Sequence, residues 1–372
     1  MSRDIELQGG LRYTSDAVPG LRRVGAAGRF RYVDAQQKTV RDERTLARIK
    51  ALAIPPAWRE VWISADADAH LQATGRDSRG RKQYRYHRQW RQFRDANKFQ
   101  RLIDFAQAQP RLRRRIARDL RAPGLSRAKV LAASVRLLEM TLMRIGNDEY
   151  MRLNGSFGLT TLRNRHVRIN GARIAFQFRG KAGRMHAIEV IDRRLAHIVA
   201  RCRELPGYEL FQYLDEARES RAIGSADVNG YLLEVTGSGY SAKDFRTWGG
   251  TLHAAILLRD SPPFGSEAEA RRRVSEVVEA VARILGNTPA ICRKCYIHPA
   301  VIASFLDGSL AQAMGGGNGA GRVTTAGLSA DERAVIRLLQ NAERRRTRAS
   351  KRSAAQDGVP SRPASTLSKV NG

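Results

Sequence analysis

The chain has 372 residues and is 42% hydrophobic, long enough for two domains and apolar enough to give each a core. Its 66 Lys and Arg against 36 Asp and Glu leave a net charge of +30, a field that attracts polyanions and points to nucleic acid as the partner. Cys202, Cys292 and Cys295 make no disulfide framework, the N-terminal stretch carries no secretory h-region, and no apolar run is long enough to span a bilayer, so the expected setting is a reducing cytoplasm with no membrane partner.

Residues 1–98 read as a small β-rich domain. GRFRYVD (28–34) and EVWIS (60–64) have strand character, and DERTLARIKALAI (42–54) reads as a short helix stopped by Pro55-Pro56. GRDSRGRKQYRYHRQW (75–90) is a turn followed by alternating basic and aromatic residues. Alternation puts Gln83 and Arg85 on one face of a strand and Tyr84 and Tyr86 on the other. Glutamine pairs bidentately with adenine, arginine with guanine, and a two-stranded ribbon fits the major groove. The same charges would also protect an exposed edge strand.

Residues 99–313 read as mainly helical. SRAKVLAASVRLLEMTLMRIG (126–146) has Ser126 as N-cap and apolar residues at helical spacing, with Arg144 at its end. HVRINGARIAFQFRGKAGRMHAIEVI (166–191) reads as three antiparallel strands, with Asn170-Gly171 as the first turn and Lys181 near the tip of the second. SAKDFRTWGGTLHAAILL (241–258) opens with a capping box, Ser241 to Asp244, and places Arg246 about a turn in. SEAEARRRVSEVVEAVARILG (266–286) is an amphipathic helix ending at Gly286. Thr288-Pro289 then starts a short helix, with Tyr296 about two turns into it.

Residues 314–372 read as a Gly-rich linker and a basic, largely disordered tail. GGGNGAG (315–321) fits neither the P-loop nor G-x-G-x-x-G, so no nucleotide is expected. LSADERAVIRLLQNAERRRTR (328–348) has the pattern of a last helix. The resulting fold class is α+β: a β-rich N-terminal domain, and a mainly α-helical domain with a three-stranded antiparallel sheet.

Two constellations bear chemistry. Cys292-x-x-Cys295-x-x-His298 offers three ligands where structural zinc takes four, so the cysteines read as small core thiols and no metal is expected. A lone helical tyrosine such as Tyr296 ordinarily packs. To attack phosphorus, a phenol of pKa near 10 needs positive charge beside it. Arg144, Arg246 and Lys181 are the candidates, Arg246 at a helix N-terminus that already favours anions.

In this order, LMRIG (142–146), FRGK (178–181), SAKDFRTWGGT (241–251) and LGNTPAICRKCYIHP (285–299) resemble the active-site motifs of type IB DNA topoisomerases, in their small poxviral and bacterial branch. GRDSRGRKQYRYH (75–87) resembles that branch's DNA-contacting segment, and the likeness covers roughly residues 10 to 310. The resemblance implies that Tyr296 is a nucleophile forming a 3′-phosphotyrosyl link. It implies that Arg144 and Arg246 clamp the phosphate, and that Lys181 is the general acid for the 5′-oxygen. Asn287 stands where many relatives, poxviral ones included, have histidine. An amide donates a hydrogen bond there but carries no charge and shuttles no proton.

By the same resemblance, Gln83, Tyr84 and Tyr86, with Arg81, Lys82 and Lys243, touch DNA. The expected enzyme is a monomer closing on duplex DNA in the cytoplasm, at the nucleoid, and using neither ATP nor metal nor other cofactor. A tyrosine recombinase would typically carry His-x-x-Arg where this chain has Lys243-Asp244-Phe245-Arg246, and usually histidine at 287. A non-catalytic architectural DNA-binding protein would explain the charge and leave the ordered Arg, Lys, Arg, Asn and Tyr to coincidence.

Overall fold

The structure, a computed structural model, describes residues 6–7, 10–12, 14–26, 28–78, 80, 82–315 and 327–356. The chain opens with β1 (Glu6–Leu7), β2 (Leu11–Arg12), β3 (Leu21–Val24), β4 (Arg31–Val33), α1 (Glu43–Ala51), β5 (Arg59–Ile63), β6 (Leu71–Arg76) and β7 (Lys82–Tyr86). β1 pairs with β2, and the others form an antiparallel sheet in the order β4-β3-β5-β6-β7. Asp42 starts α1 by accepting the Thr45 N–H at 2.8 Å. The helix buries Ile49 against Leu21, Val61, Ile63 and Ala73. Gly75 on β6 lets Trp58 lie close, since a Cβ there would stand 2.7 Å from the indole ring.

Next come α2 (Arg88–Asp119), α3 (Arg127–Thr141), α4 (Asp148–Asn154), β8 (Val167–Asn170), β9 (Arg173–Arg179), β10 (Met185–Ile191), α5 (Arg193–Arg203), β11 (Gln212–Leu214), β12 (Ser220–Ala222) and α6 (Ser225–Thr236). The remainder is α7 (Ala242–Arg259), α8 (Glu267–Leu285), α9 (Pro289–Cys295), α10 (Pro299–Leu306), α11 (Leu310–Met314) and α12 (Ala330–Gln356). The expected three-stranded sheet is present, in the order β10-β9-β8, and α5 packs against β9.

The chain divides into two compact units. The first runs to Leu102 and adds Pro123–Ser134 and Arg144–Val228; the second holds Ile103–Ala122, Val135–Met143 and the described residues from Asn229 onward. The boundary expected at 98/99 falls inside α2, which begins at Arg88 and crosses it unbroken. The tail expected from 314 contains the helix α12, whose Ala334, Val335, Leu338 and Leu339 are buried. Gly315 apart, the GGGNGAG stretch lies outside the described residues, as does everything after Gln356.

In the second unit, Phe105 on α2 meets Tyr240 and Phe245 edge-on, with ring centroids 5.1 and 4.9 Å apart. Arg113, also on α2, donates to both carboxylate oxygens of Glu332 at 3.0 and 2.6 Å and to Glu139 at 2.6 Å. Both ends of the Arg113–Glu332 pair are buried, and Arg259 pairs with neighbouring Asp331. These contacts tie α12 to α2 and α7.

Candidate active site

α7 organises the candidate residues of the second unit. The Asp244 carboxylate accepts from the Ser241 N–H at 2.8 Å and its hydroxyl at 3.0 Å, as the capping box predicts. One turn in, Arg246 is only 3% exposed. Its Nη2 donates to the Leu285 carbonyl at 2.8 Å and its Nη1 to the Leu142 carbonyl. Burial lowers its pKa, opposed by neighbouring Tyr296. A guanidinium starts so high that it stays charged.

Tyr296 is half-buried and stands at the C-terminal end of α9 rather than inside the helix. Its N–H still reaches the Cys292 carbonyl at 2.9 Å. Its own carbonyl leaves the helix and accepts from the Thr251 hydroxyl at 3.2 Å, while the Thr251 oxygen accepts the His298 N–H at 3.1 Å. This sideways bond explains why α9 stops here. The Arg246 guanidinium carbon lies 5.1 Å from the centre of the Tyr296 ring.

Two glycines inside α7 allow this approach. A Cβ on Gly250 would stand 2.7 Å from the Tyr296 carbonyl oxygen, and one on Gly249 would run into the Leu142 side chain. Glycine costs about 1 kcal/mol against alanine in a helix interior, and here close packing is its use.

Asn287 is buried directly after Gly286, whose left-handed backbone (φ 59°) ends α8. Its N–H donates to the Ala282 carbonyl at 2.9 Å. Asn287 is thus two residues from the Leu285 carbonyl held by Arg246. Cys292 is buried and its thiol is pushed up to about 11, chiefly by that burial. Nδ1 of His298 accepts the Ala300 N–H at 3.0 Å as the cap of α10, which commits that nitrogen.

Arg144 and Lys181 belong to the first unit. Arg144 does not end the helix as expected. α3 stops at Thr141, Leu142 turns into the left-handed region (φ 54°), and Arg144 follows on irregular backbone. Its carbonyl accepts the Leu159 N–H at 2.8 Å, and Gly158 passes so close that a Cβ would come within 2.7 Å of that oxygen. Lys181 is exposed on the turn from β9 to β10, as expected. Ala182 (φ 61°) and Gly183 (φ 74°) shape the turn, and the Gly180 N–H closes it on the Arg184 carbonyl at 2.7 Å.

The ribbon β6–β7 matches the expected alternation, with Gln83 opposite Gly75 and Tyr84 opposite Thr74. Tyr84 and Tyr86 stack at 6.1 Å. Lys82 pairs with Asp16 at 2.7 Å, and the Gln83 amide donates to Asp77 at 3.0 Å. Arg85 departs from the base-reading expectation: its guanidinium lies over Trp58 at 5.3 Å and donates to the Ala53 carbonyl at 3.0 Å. Lys243 is exposed on the first turn of α7. Arg81 lies outside the described residues. Sequence reasoning missed the Leu142 and Leu285 carbonyls, Thr251, Asp16 and Asp77. A glycine pair inside a helix, Gly249-Gly250, was the one visible signal.

The sequence model described as "Eukaryotic DNA topoisomerase I, catalytic core" matches residues 87–311, and "Bacterial DNA topoisomerase IB, N-terminal domain" matches 29–77. DNA topoisomerase 1B of Acanthamoeba polyphaga mimivirus is 31% identical over 286 residues, 75% of this chain and 85% of the viral protein. DNA topoisomerase 1B of Vaccinia virus (strain Copenhagen) is 23% identical over 253 residues, 67% of this chain and 76% of its own. DNA topoisomerase I of Monkeypox virus shows the same identity and coverage. Arg144, Lys181, Arg246, Asn287 and Tyr296 all fall within the matched catalytic core, whereas the strand Lys82–Tyr86 falls between the two matched spans. From the length of these matches, the chain belongs to the type IB DNA topoisomerases and is an isomerase of that type.

Proposed function

We propose that this enzyme relaxes supercoiled duplex DNA by cutting and resealing one strand through Tyr296, without ATP or metal. The phenol oxygen attacks a backbone phosphorus, forming the tyrosine–phosphate bond as the bond to the 5′-oxygen breaks. The phenol proton passes to water, and Lys181 gives a proton to the departing 5′-oxygen. Arg144 and Arg246 hold the nonbridging oxygens, where charge grows in the transition state, and Asn287 adds a hydrogen bond. The free 5′-hydroxyl later attacks the phosphotyrosine and restores the strand. Bond energy is kept in the link, so no nucleotide is consumed.

One observation carries this reading. A buried arginine, fixed by two backbone carbonyls, stands over the one tyrosine that the motif order singles out. Only Met143 separates Leu142, which receives Arg246, from Arg144 in the chain. By this reading the ribbon residues Lys82, Gln83, Tyr84 and Tyr86, with Arg81 and Lys243, hold the duplex. The protein works as a monomer on cytoplasmic, nucleoid DNA.

The test is incubation with negatively supercoiled plasmid in EDTA without ATP. Wild type relaxes it and, on denaturation, leaves protein joined to a 3′-phosphate; Tyr296→Phe does neither. A well-folded wild type that leaves the plasmid supercoiled overturns the proposal.

A further inference from the structure

α12 lies beyond the matched catalytic core, which ends at residue 311, yet it is a built part of the second unit. Ala334, Val335, Ile336, Leu338 and Leu339 are buried along one side of it. The acids of its first turn are committed to ion pairs with other helices: Asp331 with Arg259, and Glu332 with Arg113.

The other side carries a different set. Arg333, Arg337, Arg344 and Arg348 are all exposed. At about 100° per residue, their spacing puts them within about 60° of arc, opposite Val335 and Leu339. The stripe they form is about 22 Å long, at 1.5 Å per residue. Among the described residues none of the four has an ion pair. Arg333 donates to the Leu328 carbonyl at 2.6 Å and keeps further N–H groups for a ligand. Arg346, on another face, lies 3.7 Å from Glu343.

A helix face that meets only water is ordinarily built another way, and α8 of the same unit shows how. Arg271 pairs with Glu267 at 2.6 Å, Arg272 lies 3.8 Å from Glu276, and Arg273 lies 3.5 Å from Glu269. Such alternation of sign one turn apart supports an exposed helix and cancels its field. The α12 stripe forgoes it. Its like charges repel, and a row of phosphates laid along them relieves the repulsion while matching the guanidinium forks.

We propose that the arginine stripe of α12 is a further duplex-binding surface, which the matched core does not include. It holds phosphates and reads no bases, so it raises affinity for DNA of any sequence. This rests on duplex DNA being the enzyme's partner, and not on the role given to Tyr296.

The test is the salt dependence of binding to a duplex of arbitrary sequence, measured in a Tyr296→Phe background. Each phosphate contact steepens the fall of log K with log salt by about 0.9. Changing Arg333, Arg337, Arg344 and Arg348 together to glutamine should flatten the slope by about three to four. Changing the same four to lysine should leave it near wild type. Glutamine is a good helix former, so the melting temperature should hold. If the fourfold variant folds poorly, Arg344→Gln with Arg348→Gln, past the buried stretch, should still flatten the slope by about two. The control is Arg271→Gln with Arg272→Gln on α8, which should leave the slope nearly unchanged.

A slope unmoved by the α12 changes overturns the inference. So does a control that flattens as much per charge removed, since net charge would then explain the effect. A wild type that leaves plasmid supercoiled while the α12 changes still flatten the slope refutes the catalytic proposal and leaves this one standing.

Discussion

The guanidinium of Arg246 stands 5.1 Å from the ring centre of Tyr296, and it is not free to leave. The Leu285 and Leu142 carbonyls hold two of its nitrogens, at the C-terminal ends of two separate helices, α8 and α3. Lysine keeps the charge but has no fork to span both carbonyls. Arg246→Lys is therefore expected to slow single-turnover strand cleavage by about a hundredfold or more, as loss of a preorganised donor does. It should also lower thermal stability, because a buried carbonyl is left unpaired. Cleavage at wild-type rate would show that the charge alone suffices.

The two helix glycines separate by what they touch. Gly250→Ala presses a methyl onto the Tyr296 carbonyl oxygen, a backbone atom, whereas Gly249→Ala meets the flexible end of Leu142. Overpacking of this kind costs about 1–3 kcal/mol, more than alanine's helix propensity returns. The expected result is that Gly250→Ala cleaves more slowly than Gly249→Ala. The comparison uses the rate of covalent-complex formation, and equal rates would remove Gly250 from the account of the site.

Lys181 projects from a turn that two left-handed residues hold in shape. As general acid it is worth about 10²–10⁴ in rate. Lys181→Ala should lose that much on ordinary DNA and recover on a 5′-bridging phosphorothiolate, whose thiolate leaves without a proton. Equal slowing on both substrates would contradict the role.

Asn287 tests whether hydrogen bonding alone meets the need at its position. Asn287→Ala should cost about 10²–10³ in cleavage, the usual loss for one donor. Asn287→His keeps a donor and should retain substantial activity. Its rate should climb as pH drops through about 6.5, where imidazole becomes a cation, and wild type should lack that inflection.

Glu332 gives a stability prediction with a sign. Burial by itself would raise its pKa, but the hydrogen bond from Arg113, the Ser329 N–H and the Arg113 charge bring it below the ordinary 4.5. A depressed carboxylate contributes stability above its unfolded pKa and loses it as pH falls through the folded one. Glu332→Ala should therefore cost about 3–5 kcal/mol near neutrality, the usual loss when a buried pair is broken. The gap to wild type should narrow below about pH 4.5. Urea melts at pH 7 and pH 4 measure this, and a gap that grows in acid would refute it.

What the sequence made legible was local. The Ser241–Asp244 box, the Thr288-Pro289 start and the Asn170-Gly171 hairpin each work within a few residues, and each appears as read. Arg144 and Tyr296 were misplaced relative to their helices for tertiary reasons. The apolar spacing of LMRIG continues past Thr141, but Leu142 is drawn into the left-handed region where its carbonyl meets Arg246. Tyr296 ends α9 because its carbonyl turns to Thr251, 45 positions earlier. Arg85 looked like a reader of bases until Trp58, on the irregular stretch just before β5, claimed it. The Arg113–Glu332 pair joins residues 219 apart, beyond any pattern in a window.

The path of the chain also fixes an order of birth. The second unit gathers Ile103–Ala122, Val135–Met143 and the stretch from Asn229, and its core includes Val335 and Leu339 on α12. A ribosome delivers Tyr296 before it delivers those residues. At about 5–20 residues per second, the interval is on the order of a few seconds. Throughout it the core around the tyrosine-bearing unit stays open, for want of the helix that seals it. A chain still being translated thus holds its phenol in a unit whose core is incomplete until Val335 and Leu339 have been made.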